Sequence, residues 1–205
     1  MAMELNFKNV FGFISTVSPI LLGFFMLMIS VFNQNVKGLI YLAGTIIAIL
    51  INTFILRMED HNHVEGGANP SCGIFEYPAS GTGGKHYKTP SSNSMFIAFT
   101  FAYLIMPMYV NGTMNVSVIL SLLGLFSIDA YSGITNGCSK IPGVALGGVV
   151  GLLLGFAWFS VFHKTGHASL LFYNEIASDG VVCDRPSSQT FKCRVFKNGE
   201  LIGNV

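Results

Sequence analysis

The sequence predicts an all-α polytopic membrane protein, with about five transmembrane helices followed by a small β-structured C-terminal tail. Three observations carry that expectation. Only 10% of the 205 residues are charged, against about a quarter in an ordinary soluble domain. Hydrophobic residues make up 51% of the chain, and they gather in five long runs separated by polar links. A chain so poor in charge cannot cover its own surface, which makes a lipid bilayer its expected solvent and partner. The net charge of +1 leaves no concentrated basic patch for nucleic acid.

A spanning helix needs about 20 mostly apolar residues to cross about 30 Å of hydrocarbon. The first run, 10–32, is longer than a signal-peptide core and no clean small-residue cleavage site follows it. It is therefore expected to be a retained span, with Pro19 near its middle as a kink point. The second, 36–56, has no charge after Lys37, and the third, 94–110, is the shortest. The fourth and fifth cover 114–134 and 141–162. Each unpaired backbone group in lipid costs several kcal/mol, so runs of this length are expected to be helical. Tight links at 33–36 and 111–113 predict two antiparallel hairpins. Gly143, Gly147, Gly148, Gly151 and Gly155 repeat at the spacing that lets helices approach closely. Packing within the chain is the first expectation for that face, and an oligomer through the Gly-rich fifth span is the second.

Residues 1–163 thus form a transmembrane helical domain, interrupted by a long polar loop at 57–93. The tail, 164–205, alternates: Phe191, Cys193 and Val195 share one face of a strand, with Lys192 and Arg194 opposite. Asn198-Gly199 is a strong hairpin signal, with Leu201-Ile202 on the returning strand. Lys8, Arg57, Lys85, Lys88 and Lys140 lie on one side of the spans and Lys37 and Lys164 on the other. By the positive-inside rule the N-terminus is expected inside and the C-terminus outside.

Cys72 and Cys138 fall in the two inner loops, Cys183 and Cys193 in the tail. The last two either form a disulfide that staples a marginal tail or remain free thiols. His61 and His63, among Glu59, Asp60 and Glu65, read as a solvated acidic loop, since no second pair with metal-ligand spacing accompanies them. Neither a metal nor a cofactor is expected. His163 and His167 read as an interfacial polar cap. Asp129 is the one acid inside a span, and intramembrane acids are functional candidates by default. Its place near the end of the fourth run, within reach of water or Lys140, gives it a structural role by expectation.

Pro90-Ser91-Ser92-Asn93-Ser94 stands just before the third span, and Ser139-Lys140 just before the Gly-rich fifth. This arrangement resembles the type 2 phosphatidic acid phosphatase superfamily over about 69–159. There a Pro-Ser-Gly-His phrase opens one helix, and a Ser-Arg phrase two helices later precedes a nucleophilic His and its orienting Asp. In this chain the general-acid position is Asn93, the nucleophile position Leu146 and the Asp position Val150. Leucine can neither attack phosphorus nor neutralise phosphate oxygens. The resemblance therefore implies a degenerate, catalytically silent core with no catalytic residue. Without the resemblance, Pro-Ser-Ser-Asn reads as a helix-capping phrase.

A small polytopic body of this kind, with a short polar tail, is also similar to internal-membrane proteins of large DNA viruses. That resemblance implies a virion membrane beneath a capsid. The function expected first is a non-catalytic structural protein, anchoring a membrane to an outer protein layer through residues 164–205 or loop 57–93. A membrane lipid-phosphate phosphatase comes second, and a small transporter or channel third.

Overall fold

Each of the five apolar runs is one helix: α1 (Phe7–Phe32), α2 (Lys37–Glu59), α3 (Ser92–Val110), α4 (Val116–Thr135) and α5 (Ile141–Lys164). The computed structural model describes residues 7–59 and 90–173, and the backbone of Arg194–Lys197 and Glu200–Asn204. All five helices are long and apolar enough to cross a membrane. Among the described helices the fold is all-α. The two C-terminal backbone segments lie antiparallel to each other, while Asp60, His61, His63, Glu65, Cys72, Lys85, Lys88, Cys183, Phe191, Lys192 and Cys193 lie outside the described residues.

The shortest helix sits at the centre. In α3, 67% of the span is buried within the protein, against 17–33% in the other four. Ser94 through Thr100 are buried without a break, as expected of a helix surrounded by others rather than by lipid. The outer helices turn large apolar side chains outward: Phe13, Leu50, Phe54, Leu120 and Leu153 are all more than half exposed. Lipid is what such a surface requires.

The glycines of α5 are used against α3. A Cβ on Gly147 would lie 2.5 Å from the Ser91 carbonyl oxygen, and one on Gly155 2.5 Å from that of Phe99. On Gly151 it would overlap the Met95 carbonyl oxygen. These pairs advance together along both helices, so α3 and α5 run parallel with their backbones in contact. The Gly-rich face is filled by α3 of the same chain; Gly148 faces Phe126 of α4 instead.

Side-chain contacts fix the direction of the remaining helices. Tyr41 meets Thr100 while Asn52 meets Ser92, so α2 is antiparallel to α3. Gly12 faces Asn136 and Ser15 bonds Asp129, so α1 is antiparallel to α4. The body therefore has two ends. At one lie the start of α1, the ends of α2 and α4, and the starts of α3 and α5. At the other lie the α1–α2 and α3–α4 turns and residues 165–173 after α5.

Local chemistry closes each turn. Ser30 Oγ accepts from the Gly38 amide at 2.9 Å, which covers an orphan donor of α2 where Gly38 lies against α1. Asn115 caps α4, accepting from the amides of Ser117 and Val118. Gly166 takes a left-handed conformation (φ 76°) after α5, and the His167 amide returns to the Phe162 carbonyl. The chain then makes one 3-10 turn, Ala168–Leu170, and folds back on the bundle. Leu171 and Phe172 are buried in the core, Phe172 sits edge-on to Tyr103, and Asn111 Nδ2 donates to the Tyr173 carbonyl at 3.0 Å. Residues 168–173 thus belong to the helical body.

Tyr41 is fully buried, and its hydroxyl lies 2.7 Å from Thr100 Oγ1 in the middle of the bundle. Phe96, Phe99 and Tyr103 surround its ring. Tyr41→Phe keeps the ring packing and removes one buried hydrogen bond, which is worth about 1 kcal/mol. A thermal melt in detergent should register a small, reproducible loss, and an unchanged midpoint would show the bond to be idle.

Candidate functional site

The polar atoms of the membrane body converge near the end that carries the start of α3. Their source is partly a proline. Pro19 has no amide hydrogen, so the Ser15 carbonyl one turn earlier has no helical donor. In lipid such a group must find another. Ser18 Oγ donates to it at 3.1 Å, and Asn93 Nδ2 of α3 lies 3.5 Å away.

The Ser15 side chain points the other way, donating to Asp129 Oδ1 at 2.7 Å. Ser94 Oγ donates to Asp129 Oδ2, also at 2.7 Å. A hydroxyl has one hydrogen, so Ser91 Oγ, 3.1 Å from Ser94 Oγ, must be the donor in that pair. The result is a relay, Ser91 to Ser94 to Asp129, met from the opposite side by Ser15. Ser15, Ser94 and Asp129 are at most 6% exposed. Nearby, Asn136 Nδ2 donates to Ser132 Oγ at 3.1 Å, extending the polar layer along α4. The positive end of the α3 dipole lies beside the carboxylate and adds to its stabilisation.

Asp129 is thus enclosed, at 3% exposure, rather than reached by water from the membrane edge. Its two nearest partners are hydroxyls on α1 and α3, so one carboxyl group ties three helices together.

The first phrase that resembles the phosphatase motif meets α5 just beyond the second. Pro90 is fully buried, and the Ser91 amide donates to the Gly143 carbonyl at 3.0 Å. Ser91 holds the N-cap position of α3, yet its side chain makes no capping hydrogen bond, which corrects the capping expectation. Ser92 Oγ accepts from Asn52 Nδ2 at 3.1 Å. Ser139 is buried behind the α4–α5 link, and Lys140 is exposed at the start of α5.

What faces the 90–94 phrase across that contact is glycine. Gly143 and Gly147 occupy the inner surface of α5, Leu146 is 42% exposed, and Val150 is half-buried against the core. The position where the resemblance places a nucleophile is turned away from the position where it places a general acid.

No family model, no curated protein and no solved structure matches the chain.

Among the described residues no group of three His, Cys, Asp or Glu is placed to hold a metal ion. His163 stacks on Phe159 with ring centroids 5.3 Å apart, and His167 is exposed beyond it. Cys138, in the α4–α5 link, is disulfide-bonded. In the sequence, Pro19 announces the freed Ser15 carbonyl, while nothing links the Ser15 hydroxyl to Asp129.

Proposed function

We propose that this protein is a non-catalytic integral-membrane structural protein, a packed helical body that anchors a membrane to an outer protein layer such as a viral capsid. What carries the reading is the α3–α5 contact. Where phosphoryl transfer would need an imidazole facing residues 90–94, there are the backbones of Gly143 and Gly147. The hydroxyls and the carboxylate nearby are engaged with one another inside the bundle. Loop 57–93 and a β-structured tail within 164–205 are the parts left to grip a partner.

Cross-linking mass spectrometry on native membranes or particles tests the anchor. Links from Lys192, Lys197 or Lys85 to one dominant protein of an adjoining layer are expected. A lysine reactivity identical in native particles and in detergent would count against it. The protein reconstituted in liposomes should release no phosphate from phosphatidic acid above the lipid background. Release that disappears in His86→Ala would replace this reading with the lipid-phosphate phosphatase.

A transporter is the second reading, and Asp129 is what favours it, since buried intramembrane acids commonly mark ion pathways. Proton flux into liposomes that vanished in Asp129→Asn would establish it; equal flux in empty and loaded liposomes is expected.

A further inference from the structure

The chain reverses as soon as it has left α5. Lys164 through His167 are exposed, and the left-handed backbone of Gly166 makes the change of direction. At Leu171 and Phe172 the chain is buried again, at 1% and 8% exposure. Among the described residues the attachments of this return are few. The Leu170 and Leu171 amides donate to the His167 and Ala168 carbonyls in the single 3-10 turn. Phe172 rests edge-on against Tyr103, and the Tyr173 ring packs at the margin of the core. Asn111, the residue that ends α3, clamps the Tyr173 carbonyl through Nδ2. Beside that clamp the backbone is strained. Tyr173 is left-handed at φ 61°, and Gln34 in the α1–α2 turn is the one other such non-glycine residue among those described. A bulky side chain disfavours this conformation, which persists only where surrounding contacts impose it.

A glycine reversal, two buried side chains, one side-chain clamp and a strained residue at the clamp together make a strap with a catch. We infer that residues 166–173 are a releasable latch, which holds the root of the C-terminal segment on the α3–α4 turn and lengthens that segment when it lets go. Latched, the chain beyond Tyr173 starts from the Asn111 contact. Released at Gly166, it starts from the end of α5 and gains up to about 25 Å of reach, at about 3.3 Å per extended residue. Opening leaves α5 whole, because the Thr165 and Gly166 amides that close it donate to the Val161 and His163 carbonyls, ahead of the strap. Release exposes two apolar side chains and breaks one side-chain hydrogen bond, and relaxation of Tyr173 offsets part of that cost. For its role the latch rests on the anchor reading: a link from membrane to outer layer would have a short and a long setting.

Hydrogen exchange of the full chain in detergent micelles reads the latch without any partner. The Leu171 amide should exchange at least about a hundredfold faster than the buried amides of α3. Gly151→Ala, which weakens the whole bundle, should speed the α3 amides and leave Leu171 unchanged. Leu171 exchange at the α3 rate, or rising with it in Gly151→Ala, would make 166–173 a fixed part of the bundle and overturn the latch. Asn111→Ala should speed Leu171 exchange about fivefold, the worth of one hydrogen bond. Tyr173→Gly and Tyr173→Ala both remove the ring, but only glycine adopts the left-handed backbone freely. Exchange at Leu171 should therefore be at least about threefold slower in the glycine variant than in the alanine one. Equal rates, or slower exchange with alanine, would remove the strain from the device and overturn it. Pulled by its C-terminus from a lipid bilayer, the protein should extend by up to about 25 Å before any helix is extracted, at a force that Phe172→Ala lowers. Extraction of α5 with no earlier step that Phe172→Ala moves would overturn the lengthening. Failure of the anchor reading shows instead in the cross-linking of native membranes, and leaves each of these measurements as expected.

Discussion

Gly151→Leu will push α5 away from α3 and strongly destabilise the membrane body. At Gly151 even a first carbon would overlap the Met95 carbonyl oxygen, and Ala98 Cβ and the Phe99 amide nitrogen lie 2.9 Å from it. Neither backbone can retreat without lifting the neighbouring Gly147 and Gly155 contacts as well. Overpacking a fitted core costs about 1–3 kcal/mol for modest additions, and a whole leucine against backbone should cost at least about 3 kcal/mol. In a chain of this size that is a fall of roughly 6–12 °C in melting temperature. The expected readout is a lower melting point in detergent with loss of the monodisperse peak. Gly151→Ala should fall between leucine and wild type. Leu153→Ala, changed on the lipid-facing side where Leu153 is 63% exposed, should leave the melt nearly unchanged. A Gly151→Leu protein that melts like wild type would show that α3 and α5 are not in backbone contact.

Asp129→Leu is the second large loss. It leaves the Ser15 and Ser94 hydroxyls buried without their acceptor. An orphaned buried donor costs about 1–3 kcal/mol, although interhelical hydrogen bonds measured in membranes average only about 0.6 kcal/mol. A total of about 2–3 kcal/mol is expected, since both hydroxyls are orphaned at once and have no water to turn to. Asp129→Asn keeps an oxygen acceptor for one serine and should lose less. The decisive measurement is a double-mutant cycle. Ser15→Ala and Ser94→Ala should each cost stability alone, and each should cost almost nothing in the Asp129→Leu background. Fully additive losses would mean that the carboxylate does not hold these helices together.

The five spans were legible because lipid imposes a simple rule on composition: long charge-free runs with polar ends. Their arrangement was not. Little in Met95–Met108 distinguishes a helix surrounded by protein from one facing lipid, since apart from Thr100 and Tyr103 the stretch is apolar. The glycines of α5 announced a close neighbour without naming it. Asp129 was visible as an anomaly, but its partner Ser15 lies 114 residues away and no local pattern links them. The Leu171-Phe172 pair was read as part of a polar tail. Its burial depends on the Gly166 reversal, which turns the chain back onto Tyr103. The phosphatase-like phrases, each standing just before a span, lie at one end of the bundle. That the surface facing residues 90–94 is glycine backbone became visible only with the helices in register.

The central position of α3 has a consequence for how the protein is made. A ribosome delivers α1 and α2 first, then the helix with the least lipid-facing surface, and only afterwards the two helices that enclose it. During that interval the polar edge of α3, with Ser94 and Thr100, borders either lipid or a membrane chaperone. The α1–α2 hairpin already offers it Tyr41 and Asn52. Its glycine-lined seat on α5 is completed last, so assembly is finished by the final helix to arrive.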